Sequence, residues 1–93
     1  MFNCTVELYG ISKQITTQRQ VEVELNDGAS LADLIAALRR RIPALDGTVF
    51  HRGEDRLSEF YAFNINGRFY IDDKDIRIHE GDRIALLSLA AGG

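Results

Sequence analysis

Apolar and polar residues alternate through the first strand-length stretch, FNCTVELY (2–9). Phe2, Cys4, Val6 and Leu8 share one face, while Asn3, Thr5 and Glu7 share the other. Successive side chains in a strand leave opposite sides, so period two predicts a half-buried strand. Residues 10–18 are polar and read as a turn. RQVEVEL (19–25) alternates again, with Val21, Val23 and Leu25 inward and Gln20, Glu22 and Glu24 outward. The two runs predict a hairpin.

The period changes after Asn26-Asp27-Gly28. Leu31, Leu34, Ile35, Leu38 and Ile42 recur at helical spacing and form one apolar stripe. Ser30 and Asp33 resemble a capping box, with Asp in place of the usual Glu. Arg39, Arg40 and Arg41 crowd the last turn, where cations suit the negative end of the helix dipole. Pro43 ends the helix, because the residue before a proline is pushed out of the helical region.

Residues 44–59 carry no clear period. TVF (48–50) is compatible with a short strand, and HRGEDRLSE (51–59) reads as a charged surface loop. Alternation returns with Tyr61, Phe63 and Ile65, followed by Asn66-Gly67 and RFYI. Asn-Gly between alternating runs predicts a hairpin, since both central residues of a type I′ turn need positive φ. DDKD (72–75) and HEGD (79–82) are polar turns around a short IRI, and Arg83 to Leu89 is the closing strand. Two strands, a helix and two or three more strands predict an α+β fold with the helix across one sheet face. The first and last strands, both rich in apolar residues, are expected to pair in parallel near the sheet centre.

The chain has 93 residues, the size of a single domain, read as 1–93 with a tail at 89–93. Eleven basic and fourteen acidic residues give a net charge of −3, which argues against nucleic acid or an anionic membrane as the main partner. One cysteine, Cys4, excludes an internal disulfide and makes a reducing, cytoplasmic location the expectation. No stretch approaches the roughly 20 apolar residues of a membrane span, and the first ten residues lack the pattern of a secretory signal. Cys4 falls on an inward strand face and reads as a small hydrophobe. His51 and His79 lack metal-ligand spacing, and DDKD lacks the remaining ligands of a calcium loop. Arg39 to Arg41 reads as helix-end charge rather than a nucleic-acid patch. Tyr9, Tyr61 and Phe63 read as core or rim. No nucleophile–base pair stands out, so the chain is not expected to be a catalyst by itself.

The closing strand, EGDRIALLSLAAGG (80–93), ends on Gly92-Gly93. With VELYG (6–10), VEVEL (21–25), GASLADLIAALRRRIPAL (28–45) and FNINGRFY (63–70), it resembles the sulfur-carrier branch of the ubiquitin-like proteins. The resemblance is closest to the small subunit of molybdopterin synthase. It implies a β-grasp fold, a mixed sheet of four or five strands with one main helix. Two features depart from the family pattern. Ser88-Leu89-Ala90-Ala91 stands where the family often has proline. The 46–59 loop makes the chain longer than the compact thiamine-pathway carriers, which favours the molybdopterin branch.

A terminal carboxylate has a pKa of about 3.3–3.7, so at neutral pH it is ionised and a poor electrophile. It needs activation as a mixed anhydride, and this chain has no phosphate-binding glycine loop to hold ATP. The resemblance implies a ubiquitin-activating-like adenylyltransferase as the first partner, using ATP and a sulfur donor. Gly93 would pass from acyl-adenylate to thiocarboxylate, and a molybdopterin synthase large subunit would consume it. The chain itself is expected to bind no cofactor and no metal. Gly92 supplies clearance in a narrow channel, and Ala90 and Ala91 keep the approach slim. With Ile84 and Leu86 inward, Ala85, Leu87 and Leu89 face outward, and an exposed Leu87 is the expected docking anchor. Two alternatives stand beside this reading. One is a carrier for another sulfur pathway or a ubiquitin-like modifier of lysines. The other is a β-grasp interaction module with an inert tail.

Overall fold

The structure is a computed structural model, and it describes residues 1–89. Five strands form one mixed sheet: β1 (Phe2–Tyr9), β2 (Gln20–Leu25), β3 (Tyr61–Ile65), β4 (Arg68–Tyr70) and β5 (Ile84–Ser88). Their order across the sheet is β2-β1-β5-β3-β4. Helix α1 (Leu31–Arg41) and a short 3-10 turn (Pro43–Leu45) lie between β2 and β3.

The hydrophobic pattern explains the sheet. β1 alternates buried and exposed along its length, and β2 does the same. They pair antiparallel, from Phe2 opposite Leu25 to Glu7 opposite Gln20. A slip of one residue would turn the whole buried row out to water, so the pattern fixes the register. β1 and β5 pair in parallel, Val6 with Ile84 and Leu8 with Leu86, as the sequence leads one to expect. β3 then pairs antiparallel with β5, setting Phe63 opposite Leu86. Leu8, Leu86 and Phe63 thus form one inward row across three strands.

Helix α1 begins as the capping signal indicates. The Ser30 hydroxyl accepts from the Asp33 amide at 3.2 Å, and the Asp33 carboxylate accepts from the Ser30 amide at 2.9 Å. Two orphan amides are satisfied reciprocally. Leu31, Leu34, Ile35, Ala37 and Leu38 are buried, and Ile42 closes the helix with its amide bonded to the Leu38 carbonyl. Full burial of a leucine or isoleucine side chain contributes about 1.5–3 kcal/mol. At the β3–β4 turn, Asn66 has φ 53° and Gly67 φ 91°, the conformation that Asn-Gly favours.

Residues 44–59 differ from the expectation. TVF forms no strand; Phe50 makes isolated bridges to Asp46 and Leu57 instead. The segment read as a solvated loop is solvated on one side only. Val49, Phe50 and Leu57 are buried in the core, and the Phe50 ring stacks on Phe63 with centroids 6.4 Å apart. The charged residues between them hid this inner face, because three apolar residues at irregular spacing match no helical or strand period. IRI also forms no strand. The Ile78 amide bonds to the Ala29 carbonyl at 2.8 Å, and Arg77 makes one bridge to Ser30.

Among the described residues no helix is long and apolar enough to cross a membrane.

Candidate functional site

The sheet has two faces, and the helix covers only one. The face turned from the helix follows from the register. Glu7 pairs with Ala85, Ala85 with Asn64, and Asn64 with Phe69, giving one outward row over four strands. The next row is Tyr9, Leu87 and Ala62. Phe69 is 61% exposed and Tyr9 53% exposed, while Leu89, just past β5, is 50% exposed. These exposed apolar side chains make the outer face a candidate interaction surface.

Ile84 and Leu86 are buried and Ala85 is half-buried, in keeping with their expected faces. Leu87 is a correction. It was expected to be exposed, and it is half-buried. Its antiparallel partner, Ala62, is 1% exposed without belonging to the core cluster. The more exposed apolar group at the end of β5 is Leu89. Ala90, Ala91, Gly92 and Gly93 lie outside the described residues.

Three features fix the two ends of β5. The Leu89 amide donates to the Phe60 carbonyl at 2.5 Å. Gly10 ends β1 at φ 69°, where a Cβ would meet the Ser88 Cβ at 3.3 Å. Glycine there answers both the left-handed backbone and the close approach. At the other end of β5, the Asn66 side chain donates to Asp82 and accepts from the Arg83 amide, both at 2.9 Å. The β3–β4 turn therefore holds the entry into β5, and Gly10 and Phe60 flank its exit.

A groove of about 450 Å³ opens on the outer face, with Thr5, Glu7, Tyr9, Asn64, Arg83 and Ala85 along it. The Tyr9 hydroxyl bonds to the Glu7 carboxylate, and that contact raises the Tyr9 pKa above its ordinary value. The groove is shallow and mixed in polarity, suited to another protein's surface more than to an enclosed substrate. Burial, with a smaller contribution from the Asp82 charge, pushes the Cys4 thiol up to about 11. A thiol so placed is protonated and poorly nucleophilic at neutral pH. Among the described residues no group of three or more His, Cys, Asp or Glu side chains is placed to hold a metal ion.

The helix and the following loop are also joined by charge. Arg39 Nε lies 3.0 Å from Asp46 Oδ1, and Arg39 Nη1 lies 2.8 Å from Asp55 Oδ1. The Gly53 amide donates to Asp46 at 2.9 Å. That amide bond, helped by Arg39, lowers the Asp46 pKa below its ordinary value of 3.8. The role of Arg39 at the helix end is thus structural, holding a loop that lies beside β3.

Sequence reasoning missed Phe69 as an outer-face residue. Its signal was available: the two-residue Asn-Gly turn sets Phe69 opposite Asn64, and Asn64 is outward.

A mixed five-stranded sheet with one helix across it and a central parallel pair of first and last strands is the β-grasp of ubiquitin-like proteins. The chain belongs to the ThiS family, which matches residues 6–93, and thus to the ubiquitin-like sulfur carriers. Solved structures agree in fold. SAMP1 from Haloferax volcanii superposes with a TM-score of 0.80 at 24% identity, over 98% of this chain and 99% of that one. A putative molybdopterin converting factor, subunit 1, from Pyrococcus furiosus gives 0.74 at 21% identity, over 97% and 100%. A chain of the Amycolatopsis orientalis BexX/CysO complex gives 0.71 at 22% identity, over 96% and 98%. A comparison with curated proteins finds no match. The similarity spans small archaeal modifier proteins, a molybdopterin converting factor subunit and a CysO complex, and does not single out the molybdopterin branch.

Proposed function

We propose that this chain is a sulfur carrier whose Gly93 carboxylate is the reacting group. The observation that carries this reading is the family match, which runs from β1 through Gly93. In the proposed cycle a ubiquitin-activating-like adenylyltransferase binds the outer face around Leu87, Leu89 and Ala85, with Phe69 and Tyr9 beside them. The Gly93 carboxylate attacks the α-phosphate of ATP and pyrophosphate leaves. A sulfide-level sulfur nucleophile then displaces AMP and leaves a thiocarboxylate. Ala90, Ala91 and Gly92 are the slim leader through the enzyme's channel. The chain supplies the carrier; the partner supplies ATP binding and catalysis.

The proposed acceptor is a pterin precursor held by a molybdopterin synthase large subunit. The resemblance of the five stretches and the length of the 46–59 loop support it, as does the similarity to the Pyrococcus furiosus converting factor. Incubation with the adenylyltransferase of the same organism, ATP and a sulfide donor tests the carrier step. Intact mass then reports exchange of one oxygen for sulfur. Adding the large subunit with pterin precursor tests the acceptor, through loss of that sulfur to product.

A second reading is favoured by the similarity to SAMP1, named a small archaeal modifier protein. In it the activated Gly93 is joined to lysine amines. Isopeptide-linked adducts of this chain, absent when Gly93 is deleted, would establish that destination.

A further inference from the structure

We propose that Phe60 is a docking anchor for the adenylating enzyme, an apolar knob set beside the root of the tail. The proposal rests on the carrier reading above. Phe60 is 65% exposed, so its ring adds little to the core. Its backbone lies at φ 73°, in the left-handed region that bulky residues avoid. Asn66 is the one other non-glycine residue with positive φ among the described residues, and the hairpin turn accounts for it. Phe60 also stands in a turn, Glu59-Phe60, leading into β3, and that turn sets the backbone without calling for a bulky side chain. Glycine or asparagine would serve that backbone with less strain. A strained backbone that holds a ring out in water points to a use for the ring.

Its position names the use. The Phe60 carbonyl accepts from the amide of Leu89, so Phe60 is level with the last described residue. The segment leading to Phe60 is anchored. Leu57 is buried, and the Ser58 hydroxyl donates to the Thr48 and Val49 carbonyls at 2.7 and 2.8 Å. Four residues beyond Leu89 reach at most about 13–14 Å when extended. An enzyme that brings Gly93 to its catalytic centre must therefore set the mouth of its channel within that distance of Leu89. The rim of the mouth then lies over the residues beside Leu89, and Phe60, bonded to Leu89 through its carbonyl, is the most exposed aromatic there. An apolar rim fits. An acidic rim would lose its hydration against the ring with nothing in return.

The sequence hides this residue, because Phe60 sits at the end of a charged loop and just before the period of β3 begins.

The test is ATP–pyrophosphate exchange by the purified adenylyltransferase of the same organism, with wild type, Phe60→Asn and Phe60→Gly as carrier. Both substitutions suit the backbone and remove the ring. Thermal unfolding of each variant is expected at or above the wild-type midpoint. The KM for the carrier is expected to rise at least about ten-fold, with a small effect on kcat by comparison. Phe60→Leu should recover much of the loss. An unchanged KM in both variants, with wild type activated, overturns the anchor and leaves the carrier reading intact. A wild type that forms dimers through Phe60, with monomeric variants and unchanged KM, also overturns it. If wild type itself is not activated, the carrier reading fails and the anchor fails with it.

Discussion

Arg39 at the end of the helix and Asp46 in the following loop are joined through an Nε–Oδ1 contact of 3.0 Å. The Gly53 amide bonds the same carboxylate oxygen, and both contacts favour the ionised acid. Because the folded-state pKa is lowered, the associated stability is present above the ordinary aspartate value of 3.8 and is lost as pH falls through the folded value. We expect Asp46→Asn to lower the thermal midpoint at pH 7. The difference from wild type should shrink as pH falls below 3.8. Unfolding curves across that range check it; a difference independent of pH would contradict the linkage.

Phe50 is the inner contact of the same loop and stacks on Phe63. Replacing it with alanine should cost about 3–5 kcal/mol, as for other buried aromatic residues. Substituting Arg52 or Glu54, both exposed, should change stability by under about 0.5 kcal/mol. Denaturant titration of the variants decides between a packed loop and a loop that rests loosely on the surface.

Cys4 is buried and its thiol is pushed up to about 11. A thiol-specific reagent at neutral pH should label it only at the rate of global or local opening. Labelling should become fast in denaturant. Fast labelling of the native protein would place a reactive thiol on a sulfur carrier and require a different account of its sulfur chemistry.

Leu87 is half-buried on the outer sheet face beside Ala62. Leu87→Asp sets a carboxylate in the proposed docking surface. We expect its affinity for the activating enzyme to fall by at least about ten-fold. Leu87→Met should bind nearly as wild type, since its volume is conserved. Circular dichroism shows whether each variant folds. A folded Leu87→Asp chain that binds normally would remove this face from the interface.

The legible parts of the fold are those where one period holds over several residues. Val6 and Leu8 on β1, the Leu31 to Ile42 stripe and the Asn66-Gly67 turn each gave their element directly. Pairing of Val6 with Ile84, 78 positions apart (84 minus 6), followed from two strongly apolar strands needing a common core. The loop at 46–59 was not legible, because Val49, Phe50 and Leu57 are spaced without period among charges. Burial of Leu87 was not legible either. Its exposure depends on neighbours brought alongside by strand pairing, Tyr9 of β1 and Ala62 of β3, and no local pattern carries that. The tail residues Ala90 to Gly93 are read from sequence and family alone.

The central claim is that Gly93 carries sulfur, and intact mass tests it most directly. The chain is incubated with its organism's adenylyltransferase, ATP and a sulfide donor, alongside a chain lacking Gly93. We predict exchange of one oxygen for sulfur, localised to Gly93 by fragmentation, and no exchange in the shortened chain. An unchanged wild-type mass, from an enzyme preparation that thiocarboxylates another carrier of the same organism, would contradict the account.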